Sequence, residues 1–410
     1  MISADLANAI AARAAQGIDL GRDRLAATSN PLWAALRSTG SELWLDTGDL
    51  AAAEALWCSE FTALTTNNTL LNKEVQKGLY DQLIRESGKL LGGLDSRTRV
   101  LEIAFLLNAH HGLRLAQRFG AAGAKVSVEL HTDLADDVER SLAYGRRYYA
   151  ICPQHFIIKV PLTPSGLITT RRLRAEGVPV NFTLGFSARH NFLATAFAAP
   201  SYVNVFLGRL NAYIADNQLG DGRLIGEKTL LASQRAVREV GAPTKQIAAS
   251  LRGPGQLADC AGVDVYTIPT AVAAEAVKTL QPTFSTMVEK RYRIALAEGI
   301  DDESLRLHTL WAIEPADRQL AASLSAKPPA TAVELVERAH ACGAGDLFPR
   351  LSEADNARIN TDGKIPKHPA WERRIARGEL AIDTLLNHAG LASFSQDQAA
   401  LDARIAKFLG

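Results

Sequence analysis

Lys159 lies inside an apolar, β-branched run, Phe156-Ile157-Ile158-Lys159-Val160-Pro161-Leu162-Thr163. Such a run reads as a strand buried on both faces and closed by proline. An ammonium in that setting must be paired, reach outward to solvent, or be partly neutral, because burying it alone costs several kcal/mol. A neutral lysine amine is a nucleophile that can condense with a ketone to form a Schiff base. Other apolar runs also end in polar groups: Asp46, Asn67, Glu129, Asn181 with Thr183, Asn204, Arg209, and Ser250 with Arg252. Each has an ordinary structural explanation taken singly. Asp46 could cap a helix, Asn67 could form a turn, and the arginines could be surface charges. Together, so many polar strand ends must converge on one another, on water or on a ligand.

The elements that would position them alternate. Strand-like runs at Leu43–Asp49, Phe61–Thr66, Lys125–Leu130, 156–162, Pro179–Leu184, 202–207, Gln246–Leu251 and Val263–Ile268 are separated by helical stretches. Helices are expected at 73–92, 96–120, 133–147, 164–176, 187–198 and about 227–240. Eight such units predict an α/β chain folded as a (β/α)8 TIM barrel, with the polar strand ends gathered at its C-terminal face. Gly220-Asp-Gly222-Arg-Leu-Ile-Gly226 has the wrong spacing for a dinucleotide fingerprint and follows no strand. Helices over 3–16, capped by Ser3, and around Pro31–Arg37 precede the barrel. Beyond 270 the chain reads as helical at Val272–Thr279, Ser285–Ala297, Thr331–Ala341 and about 396–408. A proline- and charge-bearing stretch, Asp362–Pro369, interrupts it. With no long linker, the expectation is one domain over 1–410: N-terminal helices (1–40), barrel core (41–270) and a helical C-terminal extension (271–410).

With 45 basic against 44 acidic residues, nothing points to nucleic acid as a partner. Cys58, Cys152, Cys260 and Cys342 form no CxxC pair and no metal-ligand spacing, as expected of reduced thiols in a cytoplasmic protein. No run approaches the ~20 apolar residues of a membrane span, and Asp5 and Arg13 argue against a signal peptide. The expectation is a soluble, cytoplasmic chain without a metal.

The segments Leu45-Asp46-Thr47-Gly48-Asp49, Thr65-Thr66-Asn67, Val126-Ser127-Val128-Glu129, Ile158-Lys159, Asn181-Phe182-Thr183-Leu184, Phe206-Leu207-Gly208-Arg209 and Ala249-Ser250-Leu251-Arg252 resemble the transaldolase family, in the same order. The resemblance spans roughly residues 41–270. A looser one at Ala381-Ile382-Asp383 and Ser395-Gln396-Asp397-Gln398 is similar to the family's closing helices. It implies that Lys159 forms an imine with a ketose phosphate and that Asp46 moves the proton of the hydroxyl beside the cleaved bond. Glu129, with Thr183 and a water, would shuttle protons for carbinolamine dehydration. Asn67 and Asn181 would hold the three-carbon fragment, and Arg209, Arg252 and Ser250 the distant phosphate. No metal or organic cofactor is implied. The partners implied are sugar phosphates, in the pentose phosphate pathway, with a homodimer left open.

Three departures stand out: Asn68 in place of a usual proline, His131 in place of a common aspartate, and Asn204 in place of a serine at the sugar chain. Asn204 shares a strand face with Tyr202 and Phe206. It is expected either to point into the barrel mouth or to bond neighbouring backbone. Residues between about 300 and 375 match nothing in the family pattern. Three alternatives stay open: an aldolase releasing free dihydroxyacetone, which Glu129 and Phe206 disfavour; a specialised transaldolase for an unusual sugar; and a retired barrel that binds carbohydrate without turning it over.

Overall fold

A parallel strand covered outside by helices and inside by its neighbours' side chains must be apolar on both faces. The eight runs read that way are the eight strands of the barrel. In the computed structural model, which describes residues 2–120 and 123–409, these are β1 (Glu42–Asp46), β2 (Phe61–Thr65), β3 (Lys125–Glu129), β4 (Phe156–Pro161), β5 (Val180–Thr183), β6 (Tyr202–Phe206), β7 (Lys245–Ala249) and β8 (Val265–Pro269). They close in sequence order, β1 pairing in parallel with both β2 and β8. All of β4 and β5 is buried. Deep in the barrel the indole of Trp44 meets the ring of Tyr202 edge-on at 4.7 Å, filling the interior with apolar volume below the polar strand ends.

The turns after these strands are set by capping residues. Asp49, Asn67, Thr163 and Ser187 each accept an N–H from the first turn of the helix that follows, satisfying donors the helix leaves unpaired. Asn67 is thus a cap as well as a strand-end residue.

Several expected elements differ. The stretch 73–92 is two helices, Asn68–Gln76 and Asp81–Leu90, separated at Gly78 with φ +82°. The helix expected at 133–147 begins at Val138, capped by Asp137, after a single 3₁₀ turn at Thr132–Leu134. Arg209 does not end a strand: β6 stops at Phe206, and Arg209 lies in the first turn of helix Leu207–Asp216. Ser285–Ala297 is not helical. Its backbone is recruited by the barrel's surroundings: Met287 N–H donates to Ala261, Ala297 N–H donates to Leu219, and Leu296 bridges Gly220. The last helix runs from Ile382 to Leu409, far longer than 396–408, despite Gly390, Ser393 and Ser395 within it. Packing overrides their weak helix propensity.

The region from 300 to 376 is a string of short helices, among them Pro315–Ala326, Ala332–Ala341 and Glu353–Asp362. A buried clamp ties it to the barrel. Arg189, in helix Ala188–Ala198, donates twice to Asp383 (2.8 and 2.9 Å) and twice to Asp346 (3.0 and 3.1 Å), and Arg306 joins Asp346 at 3.1 Å.

Candidate active site

Strand register sets the site's first level. Glu129 of β3 is paired with Lys159 of β4, and Lys159 with Asn181 of β5, so three polar residues stand at one height around the barrel. Thr183, two residues on, pairs with Pro161 one level higher. Above them opens a cavity of about 180 Å³ at the C-terminal ends of the strands. Its walls carry Asp46, Asn67, Lys159, Asn181, Thr183, Asn204, Phe206, Arg209, Ser250 and Arg252. Glu129 is not in the wall; it lies behind Lys159, buried.

The Lys159 amine does not reach solvent. It stands 3.5 Å from Glu129 Oε1 and donates to the Thr66 carbonyl at 3.4 Å. Burial raises the Glu129 carboxyl above its ordinary range; Lys159 and the N–H of Asn68, which donates to Oε2 at 3.1 Å, oppose that rise. Half-buried Asp46 is enclosed by the mouth of the barrel. Desolvation raises its carboxyl, Lys159 pulls it down, and Glu129 raises it further. Thr183 Oγ1 is buried with no hydrogen-bond partner among the described residues. The cluster holds a cation, two carboxylates that are costly to ionise, and an idle hydroxyl, which is what proton relay around an amine requires.

The other end of the cavity is cationic. A side chain at Gly208 would put its Cβ 2.1 Å from the Ser250 carbonyl oxygen and 2.7 Å from Arg252 Cγ. Only glycine therefore lets the helix carrying Arg209 approach the turn carrying Ser250 and Arg252. Ser250 itself adopts φ +63°, left-handed backbone that costs energy for a non-glycine residue at the rim of the cavity. Arg209 is 6% exposed, and its Nη1 has no hydrogen-bond partner among the described residues. Burial, then the like charge of Arg252, pushes its guanidinium down to about 10, with Asp397 partly opposing. A buried, unpartnered guanidinium beside a second arginine is a receptor for an anion such as phosphate.

Two residues that sequence reasoning did not single out complete the walls. Phe394, from the C-terminal helix, sets its ring centre 5.7 Å from both the Lys159 amine and the Arg209 guanidinium. Its helix is held to the barrel mouth by Asn387, which donates to the carbonyls of Leu162 (3.0 Å) and Leu184 (2.9 Å). The only sequence signal was indirect: Phe394 adjoins the closing segment 395–398. Lys364 reaches the cavity from the loop after helix Glu353–Asp362, in the stretch that resembles nothing in the family.

The three departures fall close to this machinery. Asn68 begins helix Asn68–Gln76 and touches Glu129. His131 accepts the Asp133 N–H and donates through Nε2 to Asp402 at 3.2 Å, pinning the C-terminal helix. Asn204 meets both of its expectations. It lines the cavity, while its amide nitrogen donates to Phe182 O (3.2 Å) and Asn181 Oδ1 (3.4 Å) and its oxygen accepts the Gly185 N–H (3.2 Å). It holds Asn181 in place, and Asn181 in turn donates to Ser127.

Comparison with known proteins identifies the family. A family model described as Transaldolase/Fructose-6-phosphate aldolase matches residues 43–309. A "Probable transaldolase" of Thermus thermophilus is 35% identical over 241 residues, covering 58% of this chain and 91% of that protein. A "Transaldolase" of Xanthomonas oryzae pv. oryzae is 31% identical over 238 residues (54% of this chain, 71% of that one). One of Xanthomonas campestris pv. campestris is 30% identical over 237 residues, with the same coverage. With well over half of its length matched, the chain belongs to the transaldolase/fructose-6-phosphate aldolase family of enzymes.

Proposed function

We propose that the chain transfers a dihydroxyacetone unit from a ketose phosphate to an aldose phosphate through a Schiff base on Lys159. The observation that carries this reading is the buried Lys159–Glu129 pair facing a cavity whose far wall is Arg209 and Arg252. Proton transfer from the ammonium to Glu129, whose burial favours the protonated carboxyl, frees the amine to attack the donor's ketone carbon. The carbinolamine then loses water, Glu129 and Thr183 carrying the protons through a water molecule, and an imine forms. Asp46 takes the proton of the hydroxyl beside the bond to be cleaved. That bond breaks, its electrons pass into the iminium to give an enamine, and the aldehyde leaves. Addition of an acceptor aldehyde and return of the proton by Asp46 reverse the sequence, and hydrolysis frees the new ketose and Lys159.

Asn67 and Asn181 hold the hydroxyls of the three-carbon unit. Arg209 and Arg252, with Ser250, hold the phosphate, and Lys364 adds a third cation at the same mouth. Phe394 covers Lys159 from above, limiting water's access to the enamine. Transaldolases act in the pentose phosphate pathway, and sedoheptulose 7-phosphate and fructose 6-phosphate are the donors to try first. The Lys364 contribution from a region without a family counterpart keeps an unusual sugar as a second reading. Fructose 6-phosphate should yield product only when erythrose 4-phosphate is supplied as acceptor. Rapid release of free dihydroxyacetone without acceptor would make the protein an aldolase instead.

A further inference from the structure

We propose that Asn68 is a positioning residue for Glu129, aiming its carboxylate at Lys159 through a main-chain N–H. The inference rests on Glu129 being the proton carrier for Lys159. Glu129 has two oxygens with different duties: Oε1 faces the Lys159 amine at 3.5 Å, and Oε2 accepts the Asn68 N–H at 3.1 Å. Fixing Oε2 leaves the carboxylate no freedom to rotate Oε1 away from the lysine. Asn68 is itself immobilised, 2% exposed, its amide donating to the Leu130 carbonyl at 3.1 Å and accepting from Asn108 Nδ2 at 3.4 Å. The same Asn108 nitrogen donates to the Glu129 carbonyl at 2.7 Å, so one network holds the main chain of Glu129 and the residue that holds its side chain.

The donor is available because of where Asn68 sits. It is the first residue of helix Asn68–Gln76, where an N–H has no partner within its own helix and the helix end favours a negative charge. A proline fits this position equally well. The preceding Asn67 is extended (φ −154°, ψ 171°), as a residue before proline must be, and the first helical residue is where proline is best tolerated. Proline would keep the helix and remove only the donor. The charged groups facing Glu129 are Lys159 from β4 and Asp46 from β1. Neither changes in such a variant.

The test compares Asn68→Pro with Asn68→Ala. Both lose the side-chain bonds; only the first loses the N–H. The Glu129 carboxyl is followed by ¹³C NMR in the free protein, with Glu129→Gln to assign the signal, and the acid limb of kcat/KM is recorded in parallel. Asn68→Pro should move the Glu129 midpoint and the acid limb upward together, by about one pH unit relative to Asn68→Ala. An unmoved midpoint, or equal shifts in the two variants, overturns the inference. Should Asn68→Pro not fold, the Asn68 amide resonance of the wild-type protein decides. It should titrate with the Glu129 midpoint, and a flat response overturns the inference. Loss of the functional reading would show separately, as no imine at Lys159, while the carboxyl titration still stands on its own.

Discussion

Arg189 and Arg209 are both buried, on helices that follow adjacent strands, and their surroundings are opposite. Arg189 gives four hydrogen bonds to Asp383 and Asp346. Burial works against its charge, but the two carboxylates more than offset that and hold the guanidinium above its ordinary value. Burial alone would raise Asp383; Arg189 instead keeps it well below the usual carboxylate range. Arg209 has the burial without the partners and is pushed down to about 10. The same contrast separates the whole clamp from the whole mouth. Asp46 and Glu129 are raised where Asp383 is lowered, and Thr183 Oγ1 is idle where every side-chain nitrogen of Arg189 is engaged. A satisfied buried ion cluster joins parts of a fold together, whereas an unsatisfied one holds free energy in reserve for a ligand or a reaction.

That contrast breaks most visibly in stability. Arg189→Met leaves Asp383 buried without its arginine and Asp346 with Arg306 alone, and should destabilise the fold by about 3–5 kcal/mol in denaturant titrations. Arg209→Met removes a buried cation that lacks a carboxylate, so its stability should be unchanged or higher. Equal losses in the two variants would erase the distinction.

The next effect is on substrate. Arg209→Met or Arg252→Met should lower kcat/KM for a phosphorylated donor by about 10- to 150-fold, or roughly 1.5–3 kcal/mol, and barely affect an unphosphorylated one. Parallel losses on both donors would make the arginines structural.

The smallest effect sharpens the comparison through pH. Asp383 has a depressed carboxyl, so its contribution to stability is present above the unfolded value of 3.8 and lost as pH falls through the folded one. The deficit of Arg189→Met should therefore shrink in acid. Asp46 is raised, so its contribution is present below 3.8 and lost as pH rises through its folded value. Asp46→Asn should be more stable than the wild type by about 1 kcal/mol at pH 8, and equal to it near pH 3.5. Thermal melts from pH 8 to well below 3.8 check both slopes, the Asp46 slope above 3.8 and the Asp383 slope below it.

The parts of this design that were legible in the sequence are those encoded locally. Phe156–Pro161 read as a doubly covered strand, and it is one; the lysine within it pointed to the candidate site. Strand register then followed from the closed barrel, which is why Glu129, Lys159 and Asn181 share a level. Arg209 was placed at the right end of the barrel but in the wrong element, because the helix starts at Leu207, directly after β6 ends at Phe206. Phe394 and Lys364 gave no local signal: they meet the mouth only after the chain beyond β8 has folded round the barrel. Ser285–Ala297 carries a mix of charged and apolar residues that suits a helix, yet its N–H groups are claimed by Ala261 and Leu219. The clamp was invisible for the same reason, since Arg189, Asp346 and Asp383 are brought together only by tertiary structure.

Lys159 as the nucleophile is tested most directly by trapping. Borohydride added with fructose 6-phosphate should leave a reduced three-carbon adduct on Lys159, located by peptide mass, and none in a folded Lys159→Ala variant. An adduct on another lysine, or no adduct with any ketose phosphate tried, would contradict it.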